Sequence, residues 1–124
     1  MAACGFPEDQ LEAARHAGAF LQDQLVGIVS LYPVPWQAPG GWQLRGMAVD
    51  PDHQGRGIGA RLLQFVEQDR ARAEVPYLWC NARTQAVRFY HRHGWRAIGE
   101  PFEIPGVGPH NRMVKQFVRM PQGS

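Results

Sequence analysis

Three glycines in five residues, Gly55, Gly57 and Gly59, stand between an apolar run that ends at Val49 and an amphipathic run that begins at Ile58. Glycine lets the backbone turn tightly and brings bare N–H groups against a ligand. A helix starting there adds its unpaired first-turn N–H groups and the positive end of its dipole. Such a turn suits an anion, most often a phosphate. Gly55-x-Gly57-x-x-Ala60 formally matches a dinucleotide fingerprint, yet Pro51 to Gln54 separate it from its strand. The next strand ends in Cys80-Asn81-Ala82, without the acid that would hold a ribose. No Gly-Lys-Ser/Thr follows, so a P-loop is excluded as well. The turn predicts another phosphate-bearing ligand.

The elements around the turn can be read from pattern. His16 to Leu21 and Leu25 to Leu31 are β-like runs joined by Gln22-Asp23-Gln24, a hairpin. Tyr32 to Gly41 holds Pro33, Pro35, Pro39, Gly40 and Gly41 and reads as a loop. Trp42 to Val49 is a strand ended by Pro51, and Gly46 within it leaves room for a close-packed neighbour or a bulge. Ile58, Leu62, Phe65 and Val66 give one apolar face to a helix from about Gly59 to Ala73. Tyr77 to Cys80 is a buried strand. Thr84 caps a second helix that runs through His93 and stops at Gly94. Arg96 to Gly99 reads as a short strand, Pro101 to Pro109 as a loop, and Met113 to Val118 as the last strand. The order ββ–β–α–β–α–β–β predicts an α/β layered domain with a mixed sheet. Residues 1–15 read as an arm or short helix, 16–120 as a single domain, and 121–124 as a tail.

Composition narrows the partners. The chain has 124 residues, 44% hydrophobic and 19% charged, with a net charge of +2. That is one ordinary globular domain, and its charge is too small to argue for nucleic acid. Lys115 is the one lysine among thirteen basic residues. Cys4 and Cys80 show no spacing that predicts a disulfide framework or a metal site. His91 and His93 lie two apart on a helix and do not face each other, so they make no metal site. The longest apolar stretch, Leu25 to Tyr32, is far short of a span of about 20 residues. The first residues carry Glu8, Asp9 and Glu12 and no apolar run, so a signal peptide is not expected. A cytoplasmic protein without membrane partners is expected.

Gln54-x-x-Gly57-x-Gly59, followed by Asn81-Ala82-Arg83 and by Ala86-x-x-Phe89-Tyr90-x-x-x-Gly94-Trp95, resembles the GNAT (GCN5-related N-acetyltransferase) family. The resemblance runs from about His16 to Phe117. It implies a mixed, mostly antiparallel sheet flanked by helices, with acetyl-CoA as co-substrate and no metal. The pantetheine arm would lie along Met47-Ala48-Val49. The pyrophosphate would meet the loop of Gln54, Gly55, Arg56, Gly57, Ile58, Gly59 and Ala60. Asn81 would bond the pantetheine amide. Arg83, with Arg88 and Arg92, would reach the 3′-phosphate. Tyr90 would also touch the cofactor and give a proton to the departing thiolate, since a phenol of pKa ~10 stays protonated at neutral pH. Glu103 and His110, with Glu100 and Asp50, are candidates to take the proton of the acceptor amine.

The function expected is acetyl transfer from acetyl-CoA to a primary amine by direct attack. The other reading is a non-catalytic acyl-CoA-binding module, because residues 1–15 are too few for the strand and helices that usually open a GNAT domain. A shortened sequence, or a partner subunit supplying the missing wall, would account for the same departure. An uncovered edge strand invites pairing with another chain, so a homodimer is expected. Trp36 and Trp42 flank the Pro/Gly loop and either line an acceptor pocket or cover the core.

Overall fold

A computed structural model describes residues 14–72 and 74–117. Cys4, most of the expected arm and the expected tail lie outside the described residues. The elements are β1 (Arg15–Leu21), β2 (Gln24–Tyr32), β3 (Trp42–Val49), α1 (Ile58–Arg72), β4 (Tyr77–Arg83), α2 (Val87–Arg92), β5 (Arg96–Ile104) and β6 (Gly108–Gln116). The six strands form one sheet in the order β1-β2-β3-β4-β6-β5. Every neighbouring pair is antiparallel except β3 and β4.

Local chemistry explains the first half. Gln22 and Asp23, at φ 51° and 70°, take the left-handed backbone that a two-residue hairpin needs. Ile28 pairs with Ala48 but Ser30 pairs with Arg45, so β3 carries an extra residue at Gly46-Met47. Gly46 sits there at φ +68° with no atom within 4 Å of where its Cβ would be, so of the two readings of this glycine, close packing or a bulge, the bulge is the one observed. Beyond it β3 loses its other neighbour. β3 and β4 pair only at Trp42 with Leu78 and Gln43 with Trp79. They then separate toward Val49 and Arg83, and the sheet is split from there on.

Both helices cover one face. Leu62, Leu63, Val66, Tyr90 and Trp95 pack there against Leu31, Leu44, Leu78, Cys80 and Met113. Phe65, expected on the buried face of α1, is 54% exposed. The buried stripe instead centres on Leu62, Leu63 and Val66, and Phe65 falls on its flank. On the other face Tyr77, Trp79 and Val114 pack with Val34, Trp36 and Ile98. Here the proline-rich segment 33–41 acts as a strap. The Trp79 indole donates to the Val34 carbonyl (2.7 Å). The Tyr77 hydroxyl accepts from the Trp36 N–H (2.9 Å) and faces the carbonyls of Trp36 and Ala38. Trp36 therefore covers a core face.

Two elements differ from the sequence reading. Thr84 does not cap α2. It opens a 3₁₀ turn over Thr84–Ala86, and its hydroxyl donates to the Pro109 carbonyl (3.3 Å). Residues 101–109 are not a loop. Phe102, Glu103 and Ile104 pair with His110, Pro109 and Gly108 in a long β5–β6 hairpin. The prolines fit because β5 is an edge strand and the β4–β6 ladder ends at Arg83 and His110, just short of Pro109.

Candidate active site

The glycine turn is built to leave donors open. Asp50 Oδ1 accepts from the Asp52 N–H (3.0 Å) and starts a short 3₁₀ turn over Pro51–His53. Gln54 then donates its side-chain N–H to the Val49 carbonyl (3.1 Å), tying the loop to the end of β3. Gly55 and Gly57 have φ of +83° and +81°, which only glycine adopts without strain. A Cβ at either would meet no protein atom within 4 Å, so that space belongs to solvent or ligand. The Arg61 N–H reaches the Gly57 carbonyl (3.1 Å), and the N–H groups of the turn before it lack helical partners. α1 has no acidic residue in its first turn to offset its positive end.

This turn forms one end of a groove of about 660 Å³, lined by Met47 to Val49, His53, Gln54, Gly55, Gly57 to Ala60, Ala86, Phe89, Arg92 and His93. A second cleft of about 660 Å³ shares Met47, Ala48 and Ala86 with it. It occupies the split between β3 and β4 and adds Gln43, Arg45, Cys80, Asn81, Arg83, Tyr90 and His110. Alternation along β4 turns Cys80 and Ala82 toward the helices and Asn81 and Arg83 toward the other face. The split thus connects the two faces of the sheet.

Tyr90 and Cys80 meet on the helix side. Burial, joined by its contact with Cys80, pushes the Tyr90 phenol above its ordinary range. Burial pushes the Cys80 thiol up to about 12, against a smaller opposing effect of its hydrogen bond with Tyr90. Both groups are therefore protonated at neutral pH. His110 stands on the other side, 5% exposed, with Nδ1 2.8 Å from the Gly108 carbonyl. A carbonyl oxygen only accepts, so Nδ1 carries the hydrogen of the neutral ring and Nε2 keeps the lone pair.

Other expected residues are not brought to the clefts. Glu103 is exposed, pairs across from Pro109, and lines neither cleft. Glu100 is exposed too and lines neither. Arg56 and Arg88 are exposed and line neither, whereas Arg83 and Arg92 each line one. Asp50 lies beside His53, with Oδ2 3.5 Å from the ring Nδ1, and lines neither cleft. Asn81 lines the cleft with its Oδ1 already accepting from Arg112 Nε (3.0 Å). Arg112 was not singled out from sequence, because only the β4–β6 register places it opposite Asn81. Among the described residues no cluster of acids, histidines and cysteines could hold a metal, and no helix is long and apolar enough to cross a membrane.

A split mixed sheet, with a glycine turn at the end of one parted strand, is the fold of acyl-CoA-dependent N-acyltransferases. The chain belongs to the acetyltransferase (GNAT) family, whose model matches residues 3–95. It is 35% identical over 115 residues to the uncharacterized N-acetyltransferase YitI of Bacillus subtilis strain 168, covering 90% of this chain and 77% of that protein. Its fold is similar to that of a GNAT family acetyltransferase from Elizabethkingia anophelis solved with acetyl-CoA bound. The TM-score is 0.70 at 20% identity, over 88% of this chain and 80% of that one. It is also similar in fold to the aminoglycoside 6′-N-acetyltransferase from Enterococcus faecium, with a TM-score of 0.72 at 19% identity, over 92% and 81% of the two chains.

Proposed function

We propose that the chain moves the acetyl group of acetyl-CoA to a primary amine by direct attack. The observation that carries this reading is the continuity of the glycine groove with the cleft that holds Tyr90 and His110. The pyrophosphate would take the N–H groups between Gly55 and Ala60, each charge-assisted bond contributing about 1.5–3 kcal/mol. The pantetheine arm would follow Met47, Ala48 and Val49 where β3 has parted from β4, leaving those backbone groups for the ligand. The thioester would then sit in the split, with Tyr90 near sulfur and His110 across from it.

In the step itself the amine nitrogen attacks the thioester carbonyl carbon and the C–S bond breaks. Tyr90 gives its proton to the leaving sulfur, and Nε2 of His110 takes a proton from the nitrogen. Cys80 lines the cleft, but as a thiol pushed up to about 12 it is a poor nucleophile at neutral pH. That favours one direct transfer over an acetyl-cysteine intermediate. Tyr90→Phe is expected to lower turnover by ~10²-fold or more while CoA affinity stays nearly constant. Unchanged turnover would take Tyr90 out of the mechanism. The non-catalytic alternative predicts CoA binding with no transfer to any amine.

The proposal includes a cytoplasmic homodimer. The support for the dimer is β1, the edge strand of the sheet among the described residues, whose hairpin exposes Phe20, Leu21 and Leu25 at 63%, 41% and 44%.

A further inference from the structure

The described walls of the two clefts hold no carboxylate. Among the described residues no Asp or Glu lines either, while Arg83 and His110 line the cleft in the split. An amine carrying a second ammonium group would shed water there and find no counter-charge among the described residues. The polycationic acceptors of an aminoglycoside acetyltransferase are poorly matched to such walls, despite the similarity of fold.

Arg112, which lines neither cleft itself but stands beside one through its bond to Asn81, supplies the opposite chemistry. Its guanidinium carbon lies 5.0, 5.2 and 5.3 Å from the ring centroids of Trp36, Trp79 and Phe102. Its Nε is engaged by Asn81 Oδ1, a cleft residue. Three rings and one hydrogen bond fix the plane of the fork, so little side-chain freedom remains to be lost on binding. The two terminal amino groups carry no hydrogen bond or ion pair among the described residues. A carboxylate or phosphate is what such a held fork binds in two-point fashion. On β6, Arg112 is two residues from His110, so the two side chains leave the same face about 7 Å apart. Phe102 touches both, its ring stacked at 6.1 Å on that of His110.

We propose that the acceptor is a primary amine bearing an anionic group a few bonds from its nitrogen, the nitrogen presented to His110 and the anion to the fork of Arg112. The assignment rests on the acetyl-transfer reading above and deepens it. Arg112 is here a specificity residue, and it forms or breaks no bond in the reaction.

The test compares matched acceptors with the full chain at saturating acetyl-CoA, following release of the CoA thiol. α-Amino acids and aminoalkyl phosphates form the two anionic arms. The corresponding amino-acid amides, spermidine and kanamycin form the others. At least one anionic arm is expected to exceed its uncharged counterpart in kcat/KM by about 10- to 100-fold, the scale of a charge-assisted bidentate contact. In Arg112→Gln, whose amide still offers Asn81 a donor, that ratio is expected to collapse to near unity through KM, and Arg112→Lys should recover part of it. Equal use of acids and amides, preference for spermidine or kanamycin, or an unchanged ratio in Arg112→Gln would overturn the inference. Calorimetric titration of the same panel into the CoA-loaded protein separates the two proposals. Anionic amines that bind but are not acetylated would uphold the acceptor class and sink the transfer reading. Anionic amines that bind no better than their amides would sink the acceptor class.

Discussion

Burial sets the protonation of Tyr90 and Cys80, and the same burial makes the fold sensitive to alkali. The Cys80 pKa rises from 9.0 to about 12 on folding. The folded state therefore favours the neutral thiol, so this contribution is fully present below pH 9 and is lost between pH 9 and 12 as the unfolded chain deprotonates. At 1.36 kcal/mol per unit the loss is of the order of a few kcal/mol. Tyr90 shifts in the same direction and adds its share above about pH 10. The urea midpoint should be flat from pH 7 to 8.5 and fall above pH 9, with a shallower fall in Cys80→Ala. An equal slope in the variant would contradict the assignment. The other residue-scale prediction concerns His110. His110→Gln should slow transfer by roughly 10²–10⁴-fold at pH 7, and by progressively less as pH approaches the amine's own pKa, where the nucleophile is already free. A uniform loss across pH would make His110 a packing residue.

At the scale of elements, the strap over Tyr77 and Trp79 closes the face on which Arg112 lies. A Cβ on Gly41 would collide with the Tyr77 ring. Gly41→Ala should cost about 1–3 kcal/mol, as overpacking does, and loosen Trp36 from Arg112. Thermal melting and the acid-to-amide preference should therefore fall together in that variant. The glycine turn was legible in sequence because its logic is local: Gly46, Gln54, Gly55 and Gly57 each answer to a φ or a bond within a few residues. The β5–β6 hairpin was not. Pro101, Pro105 and Pro109 read as breakers, and only the sheet order puts two of them on an edge strand's hairpin and the third past the end of β4. Asn81 stood out through the spacing of the motif around it, while its partner Arg112, 31 residues away, was hidden by the same missing register.

For the whole molecule, the split sheet matters more than any one element. A continuous six-stranded sheet would separate the helix face, with Tyr90, from the strap face, with His110 and Arg112. In the proposed mechanism, parting β3 from β4 would let one thioester be reached from both sides. This arrangement follows from one bulge and one parallel pairing two residues long, neither of which composition reveals, whereas the motif spacings already pointed to the family. If the exposed β1–β2 hairpin mediates self-association, light scattering at high concentration should give twice the mass of the chain, and Phe20→Glu should halve it. A monodisperse monomer of the parent chain would rule that interface out. The central claim is that the turn after β3 is the acetyl-CoA site. Its most direct test is calorimetric titration of acetyl-CoA into the parent chain and into Gly57→Ala, whose added Cβ meets no protein atom and stands on a residue that lines the groove. One site per chain is expected, weakened at least ~10-fold in the variant, with stability lowered by only about 1 kcal/mol for the left-handed alanine. Absence of binding to the parent chain, or equal affinity in both, would contradict the account.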